Sequence, residues 1–224
     1  GLDWDSWIGP REAVPFSETL HPGRWRFWYR FGSGLLGDWG AHTFDTAHQF
    51  MDLGLPESVE LINRGKPNRW VYPDRVTLKM NFPARGERPP VELMWYQGDG
   101  NIPEEGLREG EGKYRQFAKV LFNDELRMAG SSHESPLFAS TRDGRPYDLP
   151  EYEMADDAVE EYAYYWDSGR HHVNFLRACQ SDSETTSPFT IGGPLVQMLH
   201  VGQVAIRYGG RFDFDRDNRR FTGD

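Results

Sequence analysis

Asp38, His42, Asp45 and His48 recur at intervals of three and four inside the stretch WRFWYRFGSGLLGDWGAHTFDTAHQFMD, Trp25 to Asp52. The apolar spacing after the glycines predicts a helix from about Gly37 to Leu53. On it Asp38 and His42 share a face, Asp45 follows one turn on, and His48 begins to leave that face. An acid–imidazole–acid stripe has three readings. As an acid–base pair, Asp38 orients His42, which takes a proton from a substrate hydroxyl. As metal ligands, the pair with Asp45 would hold a divalent ion, although a third firm ligand is not evident. As structure, Asp38 caps the helix and His42 packs in a core. Spacing leaves all three open.

Ahead of the helix stand Trp25, Phe27, Trp28 and Tyr29 among Arg24, Arg26 and Arg30, and Trp39 follows within it. Flat faces for C–H groups and guanidiniums for hydroxyls or carboxylates make a sugar platform, with Trp25, Arg26 and Trp28 at its centre and Asp45 as a further contact. His171 and His172, on a later helix, are candidates for the same cleft. The plainer reading makes the aromatics an arm over a sheet and the paired histidines solvated or capping groups. Asp213 and Asp215 read as a solvated strand end.

Gly32-Ser33-Gly34-Leu35-Leu36-Gly37 satisfies the G-x-G-x-x-G pattern of dinucleotide-binding turns. Its context argues against that use. The preceding WRFWYRF would bury Arg26 and Arg30 in a parallel strand, and no strand–helix–strand crossover follows.

The 224 residues carry 35 acidic against 25 basic side chains, a net charge of −10, which disfavours nucleic acid as a partner. No membrane partner is expected, since no apolar run reads as approaching membrane-spanning length. Lysine occurs only at positions 66, 79, 113 and 119, so a lysine base has to come from outside the Trp25–Asp52 stretch. Cys179 is the single cysteine, which excludes an internal disulfide; its setting NFLRACQS reads as a small buried thiol on a helix. The opening GLDWDSW, without Met, reads as a mature or excised start.

Residues 1–24 read as an ordered extended arm. ESVELINR, DRVTLKMNF and VELMWYQ alternate as strands, the second of them half-buried, and residues 98–113 form a glycine-rich acidic loop. A strand pair is expected about Asn123–Asp124, and Asp143–Gly144 is the strongest hairpin signal. An acidic approach leads to the His171 helix within 151–182, IGGPLVQMLHVGQVAIRYG reads as a long helix, and RFDFDRDNRRF closes the chain. Five or six sequence-adjacent strands flanked by helices predict one α+β domain: an open, predominantly antiparallel sheet with helices packed on one face.

WDSWIGP, HPGRWRFWYRFGSGLLGDWGAHTFD, Pro56–Val59, HHVNFLRACQ and IGGPLVQMLHVGQVAIRYGGRFDFDRDNRRF together resemble the C-terminal domain of the Gfo/Idh/MocA oxidoreductases, in the branch common among bacterial sugar-catabolic proteins. The resemblance spans nearly the whole chain and is weakest across 84–170. It implies that Asp38 and His42 carry active-site roles in an NAD- or NADP-dependent sugar oxidoreductase. It further implies an N-terminal Rossmann domain, outside this chain, that binds the cofactor and supplies a catalytic lysine, so that this chain alone binds no cofactor. Self-association through the sheet face and a sugar or sugar-derivative substrate also follow from it. The compartment, cytoplasmic or exported, stays open. A freestanding carbohydrate-binding or scaffold module, or a metal-assisted sugar lyase or hydratase, are the alternatives.

Overall fold

The computed structural model describes residues 1–103, 119–130, 137–148 and 168–222, and for 168–171 the backbone alone. It has the α+β architecture expected, with open antiparallel sheets, and it divides into two compact units that interleave along the chain. The first comprises Gly1–His42, Leu55–Pro103 and Met198–Asp224; the second, Thr43–Gly54 and Glu104–Gln197.

The first unit is built on a five-stranded sheet. Its strands are β1 (Ser58–Arg64), β2 (Val76–Phe82), β3 (Val91–Gln97), β7 (Arg211–Asp215) and β8 (Arg220–Thr222), in the spatial order β3-β2-β1-β7-β8. All neighbours are antiparallel. Period-two alternation places Val59 opposite Met80, Met80 opposite Leu93 and Leu78 opposite Trp95, and all five side chains are buried on one face. Covering that face are the start of helix α2 (Gly34–Phe50), through Leu36, and the end of helix α4 (Phe189–Tyr208), through Met198, Leu199, Ala205 and Ile206. The contact is close because Gly202 has no side chain. A β-carbon there would stand 2.5 Å from Met80 Cε and 2.9 Å from both Leu36 and Leu78. On another row of the sheet, Lys79 lies between Glu60 at 3.8 Å and Glu92 at 3.5 Å.

The second unit contains a three-stranded antiparallel meander of β4 (Lys119–Phe122), β5 (Leu126–Gly130) and β6 (Phe138–Thr141). Asn123 makes the first turn, its side-chain oxygen accepting from the backbone N–H groups of Glu125 and Leu126. After β6 the chain reverses at Asp143–Gly144, where Gly144 takes a left-handed φ of 89° and Thr141 pairs with Arg145. Helix α3 (Ser168–Gln180) buries Asn174, which accepts from the N–H and hydroxyl of Thr186 and so ties down the loop that follows the helix.

Several expectations need correction. The strands do not form one sequence-adjacent block: β4–β6 make a sheet of their own, while the C-terminal β7 and β8 join the first sheet beside β1. Strand β2 is more than half-buried, since Thr77 is covered on the far side through a hydrogen bond to Asn101 of the following loop. Residues 1–24 are not wholly extended. Asp3 caps a short helix α1 (Trp4–Ile8), in which Trp4 and Trp7 stack at 4.7 Å. Cys179 is exposed, because α3 turns Asn174 inward in place of the thiol. Helix α4, at 20 residues and a mean hydropathy of 1.2, is long and apolar enough to cross a membrane by length and composition, contrary to the sequence reading. Its buried apolar residues from Met198 onward are part of the core just described. Most of the 98–113 loop and the acidic approach to α3 lie outside the described residues.

Helix α2 starts and stops three residues earlier than expected. Its end is fixed by Asp52, which adopts φ 50°, while Leu53 N–H bonds the His48 carbonyl and Asp52 N–H that of Gln49. That is the paired 6→1 and 5→2 closure of a Schellman turn, made two residues before Gly54. Leu53 is then fully buried beyond the helix end.

Two stability measurements follow. Leu78→Ala removes a fully buried side chain and is expected to cost about 2–5 kcal/mol in urea unfolding. His48 is also buried, its Nε2–H donating to the Gly54 carbonyl at 3.1 Å, and burial holds its pKa below 6.5 against the opposing effect of that bond. The unfolded chain therefore takes up the proton first. Stability is full above pH 6.5 and falls as pH drops from there through the depressed folded value. Unfolding curves of the protein and of His48→Gln across that window should converge toward acid pH; parallel curves would remove His48 as the cause.

Candidate functional site

The aromatic–arginine segment enters α2 through a short clip. After a 3-10 turn over Arg24–Phe27, residues 27–29 pair with 70–72: Tyr72 N–H bonds the Phe27 carbonyl at 2.8 Å and Tyr29 N–H that of Trp70 at 3.0 Å. The glycine run then packs tightly. Gly32 lies against the backbone of Arg26, Gly34 lies under the Tyr72 ring with φ 66°, and Gly37 abuts Ser33 and the Gln203 side chain. Gln203 is held in turn, donating to the Ser33 carbonyl at 2.9 Å and bonding His200 at 3.0 Å. Protein atoms fill the space that a pyrophosphate would need, so the run is a packing element and not a dinucleotide cradle. Since α2 begins at Gly34, four of the six residues of the run are helix and not loop.

Asp38 is thereby in the second turn of α2, too far along to cap the first-turn N–H groups. Its carboxylate accepts from Arg26 Nε at 3.0 Å, and the same guanidinium lies 4.8 Å from the centre of the Trp25 ring and donates to the Gly23 carbonyl. Both side chains are over a third exposed, so the pair contributes at most about 1 kcal/mol and chiefly fixes geometry. His42 is exposed, its ring 5.5 Å from that of Trp39. Neither half of the structural reading holds as written: Asp38 is not a cap, and His42 is not packed in a core.

Asp45 accepts from Gln49 Nε2 at 2.7 Å. Within the same unit, Lys119 is buried and donates to Thr46 Oγ1 at 2.8 Å. Burial pushes its pKa down, and the charge of Asp45 opposes that. Sequence reasoning passed over this lysine; the available signal was a rare lysine opening the apolar strand KVLF. His172 is exposed on α3, and the side chain of His171 lies outside the described residues. Among the described residues no group of three or more His, Cys, Asp or Glu is placed to hold a metal ion.

Among the described residues the first unit carries at least two depressions. The larger is an open groove of about 800 Å³ lined by Thr19, Arg24, Phe27, Trp28, Leu35, Val71, Tyr72, Asp74, Gln97, Gly98 and Asp99. Its walls are pinned. Trp28 donates to the Thr19 carbonyl at 3.0 Å, and Gln97 donates to the carbonyls of Pro73 and Asp74 at 2.8 and 3.2 Å. Tyr72 packs on Tyr29 at 4.2 Å, and Arg207 covers Tyr29 at 4.5 Å. Burial raises the pKa of both phenols, which stay neutral hydrogen-bonding groups at ordinary pH. The smaller depression, about 380 Å³, is lined by Trp7, Ile8, Pro10, Arg11, Trp25 and Phe31.

The platform expected from sequence is thus divided. Trp28 faces the larger groove and Trp25 the smaller, while Arg26 bridges from Trp25 to Asp38. Asp38, His42, Asp45 and His172 line neither. Tyr72, Asp74, Gln97 and Asp99 were not singled out from sequence, because only strand pairing brings the ends of β2 and β3 beside residues 19–35.

Comparison of the chain with protein-family models and with curated proteins finds no match to either.

Gly34→Ala tests the close packing at the head of α2. A β-carbon there would combine a left-handed φ with a 2.7 Å approach to the Tyr72 ring. A loss of about 1–3 kcal/mol in chemical denaturation is expected, and an unchanged midpoint would contradict the packing described.

Proposed function

We propose that this chain is the substrate-binding and oligomerising domain of an NAD(P)-dependent oxidoreductase acting on a sugar or sugar derivative, of the Gfo/Idh/MocA kind. The groove carries the reading. Phe27, Trp28 and Tyr72 offer rings to the C–H faces of a sugar, while Asp74, Asp99 and Arg24 offer acceptors and donors to its hydroxyls. Leu35 belongs to the same groove, one turn before Asp38 and two before His42 on α2. The motifs shared with that family's C-terminal domain and the α+β fold support it further.

In the intact enzyme, NAD or NADP supplies the hydride acceptor or donor. The glycine run of this chain is filled by protein atoms and does not fit that group. A separate nucleotide-binding domain is therefore assigned the cofactor and the catalytic lysine. This chain's own part is to stack and orient the sugar, and to offer the His42 imidazole as acceptor for a hydroxyl proton. Arg26 holds the Asp38 carboxylate beside it on the same helix. The sheet row carrying Glu60, Lys79 and Glu92 is assigned to self-association.

A second reading, a freestanding sugar-binding module, is favoured by the absence of Asp38 and His42 from the groove lining. Calorimetry and kinetics separate the two. Monosaccharides should bind the chain, and Trp28→Ala should weaken binding about 3- to 10-fold through lost stacking. With a nucleotide-binding domain joined to it, His42→Ala should lower kcat by about 100-fold or more. Binding without any redox turnover in the joined protein would favour the module, and no sugar binding at all would end both readings.

A further inference from the structure

The polar groups of the groove are unequal in sign. Asp74 and Asp99 stand exposed on its wall, with one guanidinium, Arg24, to set against them. Neither carboxylate takes a hydrogen bond or ion pair from another described residue. The Asp74 carboxylate lies over Gly65, where a β-carbon would come within 2.6 Å of its Oδ1. The neighbouring loop is fixed by Asn101, which donates to the carbonyls of Val76 at 2.8 Å and Gln97 at 2.9 Å. Two exposed carboxylates beside aromatic faces form a site for an ammonium group on a ring. The chain's net charge of −10 adds to the bias against an anion.

Resting on the sugar-binding reading, we infer that the groove selects an amino sugar and discriminates against sugars bearing a carboxylate or phosphate. A neutral sugar keeps the stacking and hydroxyl contacts but makes no ion pair with Asp74 or Asp99. An acidic sugar meets two like charges in place of two partners. Because both carboxylates are exposed, each contributes only a factor of about 1.5 to 5.

The test is titration of the whole chain with glucosamine, glucose and glucuronic acid, at about pH 6.5, below the ordinary titration range of an amine. Glucosamine is expected to bind about 3- to 10-fold more tightly than glucose, with glucuronic acid weakest. The preference should shrink as salt is raised, since exposed charges are screened. The double variant D74N/D99N should bind glucosamine and glucose equally. Glucuronic acid matching glucosamine, a preference indifferent to salt, or one retained in the double variant would overturn the inference. Glucose binding with no gain for glucosamine defeats the inference alone, whereas binding of none of the three defeats the sugar reading beneath it.

Discussion

The first unit depends on the approach of α4 to the sheet at Gly202. Without a side chain there, Met80, Leu36 and Leu78 meet around one backbone position, so strand β2, helix α2 and helix α4 share a single contact. That contact fixes Leu36, and with it the rotation of α2. Leu35 is then set against the groove, and Asp38 lies one turn on, within reach of Arg26. The neighbouring Gln203, one residue further along α4, holds the Ser33 carbonyl and so the entry to α2. His42 is exposed and Asp38 half-exposed, while Leu36 beneath them is buried.

Much of this was legible. The strands announced themselves by alternation, and α2 and α4 by apolar spacing, because those patterns follow from burying one face. Asp143–Gly144 marked its turn because few residue pairs accept that backbone. Partnership was less legible. No local pattern says that RFDFD pairs with SVELI, and so one imagined sheet proved to be two. Cys179 and Asn174 show the same limit at the scale of a side chain. The helix buries the amide, which has Thr186 to bond, and exposes the thiol.

The glycine run shows how one spacing can serve different ends. Glycine at 32, 34 and 37 opens room, but that room is taken by the Arg26 backbone, the Tyr72 ring and the Gln203 amide. What separates a phosphate cradle from a packing joint is what stands opposite the missing β-carbons, and sequence spacing does not carry that information. The residues of the groove teach the converse. Tyr72, Asp74 and Asp99 have no motif, yet the ends of two paired strands deliver them to one wall beside Trp28.

Arg64, at the end of β1, donates to the carbonyls of Ile206 and Arg207 at the close of α4, and Leu61 N–H bonds Gly210 just beyond. These contacts join positions more than 140 residues apart in the chain. They also set β7 beside β1, with Glu60 opposite Arg211. Until that distant segment arrives, β1 is an edge with unpaired backbone groups, although β2 and β3 are already available to it. A ribosome emits the entire interleaved unit before it emits β7. The pairing that completes β1 is therefore a long-range closure, and the local pairs of the first half leave its outer edge open.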